Sequence, residues 1–267
     1  MYPILARYGS FLFYSYTAAM GAGLLLALGL AWRQARRSRT AIGTHSYEGW
    51  PDAVIVGLAV ALVVGRVLFV AVNWDYYQDN LDESWLLWQG GISYHGAVLT
   101  GLLALWVWSR LHGVSFGALG GLLALPAAVW SAFGWLACYL DGCAYGRETL
   151  IGPLAADLPD NFGVFAVRYQ TQLMGVAMSL LALALLWWAR RRMSRTALFW
   201  TALFLLSAGR AAVDVVRGDP MRVIAGLRLD FVADATLALA AVLGLVVTLW
   251  RNGISRHDAP NRATRDT

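Results

Sequence analysis

The chain has no lysine and only two cysteines in 267 residues, and only 14% of it is charged. An ordinary soluble domain is about 25% charged. A mean hydropathy of +0.56 leaves too little polar surface to coat a soluble core, so lipid must solvate much of the exterior. The same shortage excludes a disordered chain and a nucleic-acid-binding one. Two cysteines are too few for a disulfide framework. MYPILARYGS does not read as a secretory signal, because the basic cluster follows the first apolar run instead of preceding it.

What is present is hydrophobic, 59% of the residues, and arranged in long runs. Crossing about 30 Å of hydrocarbon takes about 20 apolar helical residues. Seven stretches qualify: 9–32, 52–74, 93–109, 115–140, 169–189, 196–216 and 229–250. The chain is therefore expected to be an all-α, polytopic membrane protein with seven transmembrane helices. The third stretch is the shortest and starts in GGISYHGA, so a loop dipping into the membrane is an alternative beginning.

All 21 basic residues are arginines. With the N-terminus outside and the C-terminus cytoplasmic, Arg33, Arg36, Arg37, Arg39, Arg110, Arg190, Arg191, Arg192, Arg195, Arg251, Arg256, Arg262 and Arg265 lie inside. Arg7, Arg147, Arg168, Arg217, Arg222 and Arg228 lie outside, with most acidic loop residues, which satisfies the positive-inside rule. Residues 1–252 form the expected transmembrane domain and 253–267 a disordered cytoplasmic tail. No metal site is expected: His45, His112 and His257 fall on the cytoplasmic side, and the cysteines have no second pair.

Three charges stand inside apolar runs: Arg66 in VVGRVLFV, and Arg210 and Asp214 in SAGRAAVDVV. Each costs about 2.5–3.5 kcal/mol at mid-membrane on insertion scales, so such groups face the bundle interior and mark sites. Arg210 and Asp214 have the spacing of an intrahelical ion pair, which is the plainer reading. Arg66 has no acid within a turn, so its partner comes from another helix or an anionic ligand. His95, flanked by Gly90, Gly91 and Gly96, reads either as an interior histidine or as a general base with room for close approach. The segment after the fourth run, LDGCAYGRETLIG, has turn signals at Asp141-Gly142 and Tyr145-Gly146 with Arg147 behind them, and either ends a helix or cradles a phosphate. Cys138 and Cys143 straddle that helix end. Two unbridged apolar thiols are the favoured expectation and a disulfide on the outer side the alternative.

Taken together the segments resemble the prolipoprotein diacylglyceryl transferases of the bacterial inner membrane. GGISYHGAVLTGLLALWVWSR resembles that family's histidine segment, VVGRVLFVAVNW its glycine-arginine helix, and LDGCAYGRETLIG its signature loop. VRYQTQLM resembles its serine/threonine-glutamine-leucine stretch, AGRAAVDVVRGD its arginine-x-x-x-glutamate-x-x-arginine helix, and Tyr16 falls where the family has a first-helix tyrosine. The order is the family's from about residue 9 to 250.

The resemblance implies transfer of a diacylglyceryl group from phosphatidylglycerol to the lipobox cysteine of a prolipoprotein signal peptide, without a cofactor, in the inner membrane. It implies His95 as acceptor of the thiol proton, with Arg210 and Tyr16 beside it as catalytic residues. Arg66, Arg147, Asp141, Gly142, Gly146, Gln172, Asp214 and Arg217 become substrate-binding, the arginines facing phosphate and Asp214 orienting Arg210. The chain departs from the pattern at several places. Trp135 stands for the signature's first arginine, Cys138 and Asp141 for asparagines, and Cys143 for a glutamate. Tyr169-Gln170 replaces histidine-proline, and Met174-Gly175 replaces tyrosine-glutamate. These departures motivate a second reading, a family member that binds or transports anionic phospholipid or lipidates another acceptor.

Overall fold

The computed structural model describes residues 4–9, 11–42, 49–86, 91–150, 152, 154–160 and 162–263; the side chains at 11, 38–42 and 253–263 are not described. Gly90 and residues 264–267 lie outside the described residues. Two compact units are present, Arg37–Leu119 and the combination of Met1–Arg36 with Gly120–Thr267.

Among the described residues six helices carry segments long and apolar enough to cross a bilayer: Ser15–Arg37, Trp50–Val72, Phe116–Asp141, Thr171–Ala189, Arg195–Asp214 and Leu229–Asn252. They belong to α1 (Ser15–Ile42), α2 (Trp50–Val72), α5 (Phe116–Asp141), α6 (Thr171–Ala189), α7 (Arg195–Asp214) and α8 (Leu229–Ala263), with the short α3 (Trp74–Tyr77) just after α2. The remaining expected stretch is the helix α4, Tyr94–Leu111. It is not among the six: its 18 residues include Tyr94, His95, Ser109 and Arg110, which dilute its apolarity.

Among the described residues three antiparallel hairpins interrupt the helices, which hydropathy runs do not distinguish. They are β1 (Ile4–Tyr8) with β2 (Phe11–Tyr14), β3 (Ala155–Pro159) with β4 (Phe165–Tyr169), and β5 (Val223–Ile224) with β6 (Leu227–Arg228). The first shortens the expected opening span, because FLFY pairs with the preceding strand and the helix begins only at Ser15. The third turns on Ala225 and Gly226, both at positive φ, as a two-residue hairpin loop requires. In the second, Asp160 Oδ1 accepts from the backbone N–H groups of Phe162 (2.8 Å) and Val164 (3.0 Å) and closes the loop.

The core of the larger unit is built from small and branched residues of α5, α6 and α7: Ala124, Leu125, Ala128, Leu186, Ala189, Leu198 and Ala202. In lipid the helices gain nothing from leaving water, so close packing has to hold them, and small residues permit it. Gly121 shows how close: a Cβ there would stand 2.2 Å from the Arg195 carbonyl oxygen. In the smaller unit α2 packs on α4, with Gly57 against Leu105 and Gly65 against Ile92 and Ala97.

Candidate active site

In the larger unit the site grows from the turn that follows α5. Gly142 (φ +97°) and Ala144 (φ +53°) both take left-handed backbone, which reverses the chain. The reversal brings Cys143 back to Cys138, and the two form a disulfide, Cα atoms 4.7 Å apart, contrary to the expectation of free thiols. The turn is then docked on the start of α6. Gln172 Nε2 donates to the Cys143 carbonyl (2.9 Å) and Thr171 Oγ1 to the Ala144 carbonyl (2.7 Å), and both side chains belong to fully buried residues.

Beyond the turn the chain is pinned on both edges. Gly218 N–H donates to the Tyr145 carbonyl (2.8 Å), Arg147 N–H to the Val216 carbonyl (2.9 Å), and Tyr169 N–H to the Arg147 carbonyl (3.2 Å). Gly146 is squeezed between these partners, since a Cβ there would lie 2.2 Å from the Tyr169 carbonyl oxygen. The Arg147 backbone is therefore fixed between the end of α7 and β4. Its side chain is exposed and lies over the Tyr169 ring, 5.8 Å from the centroid, and no described carboxylate pairs with it.

Four other arginines of this unit, Arg168, Arg210, Arg217 and Arg228, are paired with carboxylates. Arg217 donates through Nε and Nη2 to both oxygens of Asp219 (2.9 and 2.6 Å) and through Nη1 to Asp214 (2.8 Å), with Asp230 at 3.2 Å. Burial pulls its pKa down, but the hydrogen-bonded Asp219, then Asp214 and Asp230, outweigh that and hold it above its ordinary value. Arg228 joins the same cluster through Asp219 at 3.2 Å and the Asp219 carbonyl at 2.7 Å. Arg168 pairs with Glu148 (3.2 Å) and Asp160 (3.4 Å) beneath the Tyr145 ring. Arg210 Nε meets Asp234 of α8 at 3.3 Å, and its guanidinium carbon lies 5.1 Å from the centre of the Trp135 ring. Tyr16, in the first turn of α1, is within electrostatic range of Asp141.

Gly142, Gly146, Arg147, Gln172, Asp214 and Arg217 thus belong to one bonded assembly, with Asp141 at the end of α5 where the turn begins and Arg210 one turn from Asp214 on α7. Sequence reading missed Asp219, Asp230 and Asp234 as partners. Asp234 carries the signal that marked Arg66 and Asp214, a charge inside an apolar run, here FVADATLALA.

The smaller unit holds Arg66 and His95. Arg66, 4% exposed, donates from Nε to the Ser84 carbonyl (2.8 Å), from Nη1 to Gly91 (2.9 Å) and from Nη2 to Glu83 (2.7 Å). The rings of Phe69 and Tyr77 flank it at 5.8 and 5.4 Å. Ser93 N–H donates to the Gly65 carbonyl (3.0 Å), and Ser93 Oγ caps α4 by accepting from Gly96 N–H (3.3 Å). His95 is the second residue of that helix, half-buried, with its ring edge-on to Tyr94 at 5.1 Å.

A sequence model of the prolipoprotein diacylglyceryl transferases matches residues 3–250. The chain belongs to the prolipoprotein diacylglyceryl transferase family. Among similar proteins are phosphatidylglycerol–prolipoprotein diacylglyceryl transferases from Geobacillus kaustophilus (29% identical over 259 residues, covering 92% of this chain and 90% of that protein) and Bacillus mycoides (28% over 255 residues, 91% of each). A Bacillus cereus relative of the same name is also 28% identical over 255 residues, again 91% of each chain. Within the diacylglyceryl transferase family the match runs past every departure in the signature loop, so the disulfide and Trp135 belong to a chain similar to its relatives over residues 3–250.

Proposed function

We propose that the protein transfers a diacylglyceryl group from phosphatidylglycerol to the thiol of a prolipoprotein's lipobox cysteine. The observation that carries this reading is Arg147: its backbone is fixed on both edges, while its exposed guanidinium meets no described carboxylate. A planar fork of donors on a backbone pinned at both edges suits a phosphodiester, and at an outer membrane surface the anion at hand is a lipid headgroup. Arg210 is the second phosphate ligand, at the membrane side of the same assembly.

The reaction forms a bond between the cysteine sulfur and a glyceryl carbon and breaks that carbon's bond to the phosphate oxygen. His95 takes the thiol proton, a modest task because a thiol of pKa about 8.5 is already partly ionised near neutrality. Arg147 and Arg210 stabilise the departing glycerol phosphate, and guanidinium charge does this without a metal. Tyr16 reaches toward the substrate. Asp141, Gly142, Gly146 and Gln172 hold the turn in shape, Asp214 and Arg217 brace the segment to which Arg147 is pinned, and Arg66 orders the loop leading to the His95 helix. The chain crosses the bacterial inner membrane seven times, N-terminus outside, with α4 as the seventh crossing and 253–267 as a cytoplasmic tail beyond the 1–252 domain.

The test incubates purified full-length protein with labelled phosphatidylglycerol and a lipobox peptide. Release of glycerol phosphate with a matching gain of peptide mass is expected, and is lost in His95→Ala and Arg147→Ala. Binding of phosphatidylglycerol without release would overturn the transferase reading in favour of lipid binding or transport.

A further inference from the structure

Asp234 lies in the second turn of α8, within an apolar segment, and its side chain is only 1% exposed. A carboxylate at such a place costs about 2.5–3.5 kcal/mol to insert, so its presence calls for a partner and a use. One partner is Arg210, whose Nε stands 3.3 Å from Asp234 Oδ2. Arg210 is held a second time by Trp135, buried on α5, which presents its ring 5.1 Å from the guanidinium carbon, within cation–π range. The Arg210 side chain is 14% exposed. A long flexible side chain is thereby fixed at one edge of its fork by a carboxylate and against a flat surface by an indole, each from a different helix.

We propose that Asp234 is a positioning residue for the transfer reaction: it acts through Arg210, fixing the direction of the guanidinium toward the phosphate, with Trp135 as the platform that fixes its plane. The inference rests on the reading of Arg210 as a phosphate ligand. Bidentate recognition of phosphate needs the fork in one orientation, and misplacement by about 1 Å costs about a hundredfold in rate. An isolated ion pair could neutralise charge in any orientation. A pair combined with an aromatic face restricts the guanidinium to one.

The experiment uses the full-length protein in mixed micelles, assaying glycerol phosphate release from phosphatidylglycerol with a lipobox peptide. Asp234→Asn keeps the shape and removes the charge. It is expected to lower kcat/KM by about ten- to a hundredfold, Asp234→Glu recovers part of the loss, and Trp135→Phe loses less than Trp135→Leu. In an Arg210→Lys background the same Asp234→Asn change is expected to cost less than about threefold, because residues that act through one another are not additive. A merely structural role gives the same loss in both backgrounds, and that result, or wild-type kcat/KM in Asp234→Asn, overturns the proposal.

A second measurement needs no turnover: the phosphatidylglycerol concentration giving half of the lipid's thermal stabilisation, against phosphatidylcholine as control. It is expected to rise about tenfold in Asp234→Asn and to be insensitive to Asp234 once Arg210 is alanine. Should the wild type show this dependence and yet release no glycerol phosphate, positioning by Asp234 stands and the transferase reading falls. A wild type that turns over, with Asp234→Asn indistinguishable from it in both measurements, overturns the positioning role alone.

Discussion

The indole of Trp135 occupies the space that any side chain at Gly175 would need: a Cβ on Gly175 would lie 2.1 Å from Trp135 Cδ2 and 2.3 Å from Cε2. These are ring atoms of a buried side chain, so they cannot simply swing away. Gly175→Ala would gain about 1 kcal/mol of helix propensity and lose about 1–3 kcal/mol by overpacking. The expected outcome is net destabilisation, read as a lower Tm in detergent. In a Trp135→Leu background the clash is gone, and Gly175→Ala is expected to be neutral or stabilising. Equal losses in the two backgrounds would mean that the two positions do not share this space.

The Cys138–Cys143 disulfide closes the turn that docks on Thr171 and Gln172. A loop this short restricts the unfolded chain by about 2 kcal/mol in the chain-entropy account. Cys138→Ser with Cys143→Ser, or treatment with reductant, should lower the Tm accordingly, and the unreduced protein should take up no alkylating label under denaturing conditions. Labelling of two thiols without reductant would contradict the bridge.

Much of the helical scaffold can be read in the sequence, because insertion in lipid demands long uninterrupted apolar runs and those are visible one residue at a time. The hairpins are not. FLFY is no less apolar than the helix it precedes, and pairing with Ile4–Tyr8 is what separates them. Arg66, Arg210 and Asp214 stand out by their cost in a membrane, but their partners depend on which helices meet. The four-residue spacing suggests an Arg210–Asp214 pair, whereas Asp214 bonds to Arg217 and Arg210 meets Asp234. The disulfide likewise depends on a reversal through Gly142 and Ala144 that five-residue spacing does not encode.

Acidification should loosen the β3–β4 hairpin before the helices respond. The backbone N–H of Val164, then that of Phe162 and the Arg168 guanidinium, hold Asp160 below the ordinary carboxylate pKa. A group depressed on folding contributes stability above its unfolded value, about 3.9, and that contribution is lost as pH falls through the folded value. Hydrogen-exchange protection of the Phe162 and Val164 amides, corrected for intrinsic rate, should therefore fall below about pH 4. Asp160→Asn keeps an acceptor oxygen and cannot titrate, so its protection should be flat across that range. A wild-type hairpin that is equally flat would remove Asp160 as the cause.

Arg147 and Arg217 lie on neighbouring segments of one assembly, joined by the bridge between Gly146 and Arg217, yet they should respond to substitution in opposite ways. Arg217 is surrounded by Asp214, Asp219 and Asp230, so Arg217→Met leaves buried carboxylates without their counter-charge, and removal of one partner of a buried pair costs about 3–5 kcal/mol. Arg217→Lys keeps the charge but cannot fork to both oxygens of Asp219, so its Tm should fall between wild type and Arg217→Met. Among the described residues the Arg147 guanidinium lies over the Tyr169 ring and pairs with no carboxylate, and Arg147→Ala should change stability by less than about 0.5 kcal/mol while abolishing glycerol phosphate release. Unfolding midpoints and turnover measured on the same preparations separate the two roles. If Arg147→Ala lost as much stability as Arg217→Met, its guanidinium would be serving the fold and would not be held ready for an anion.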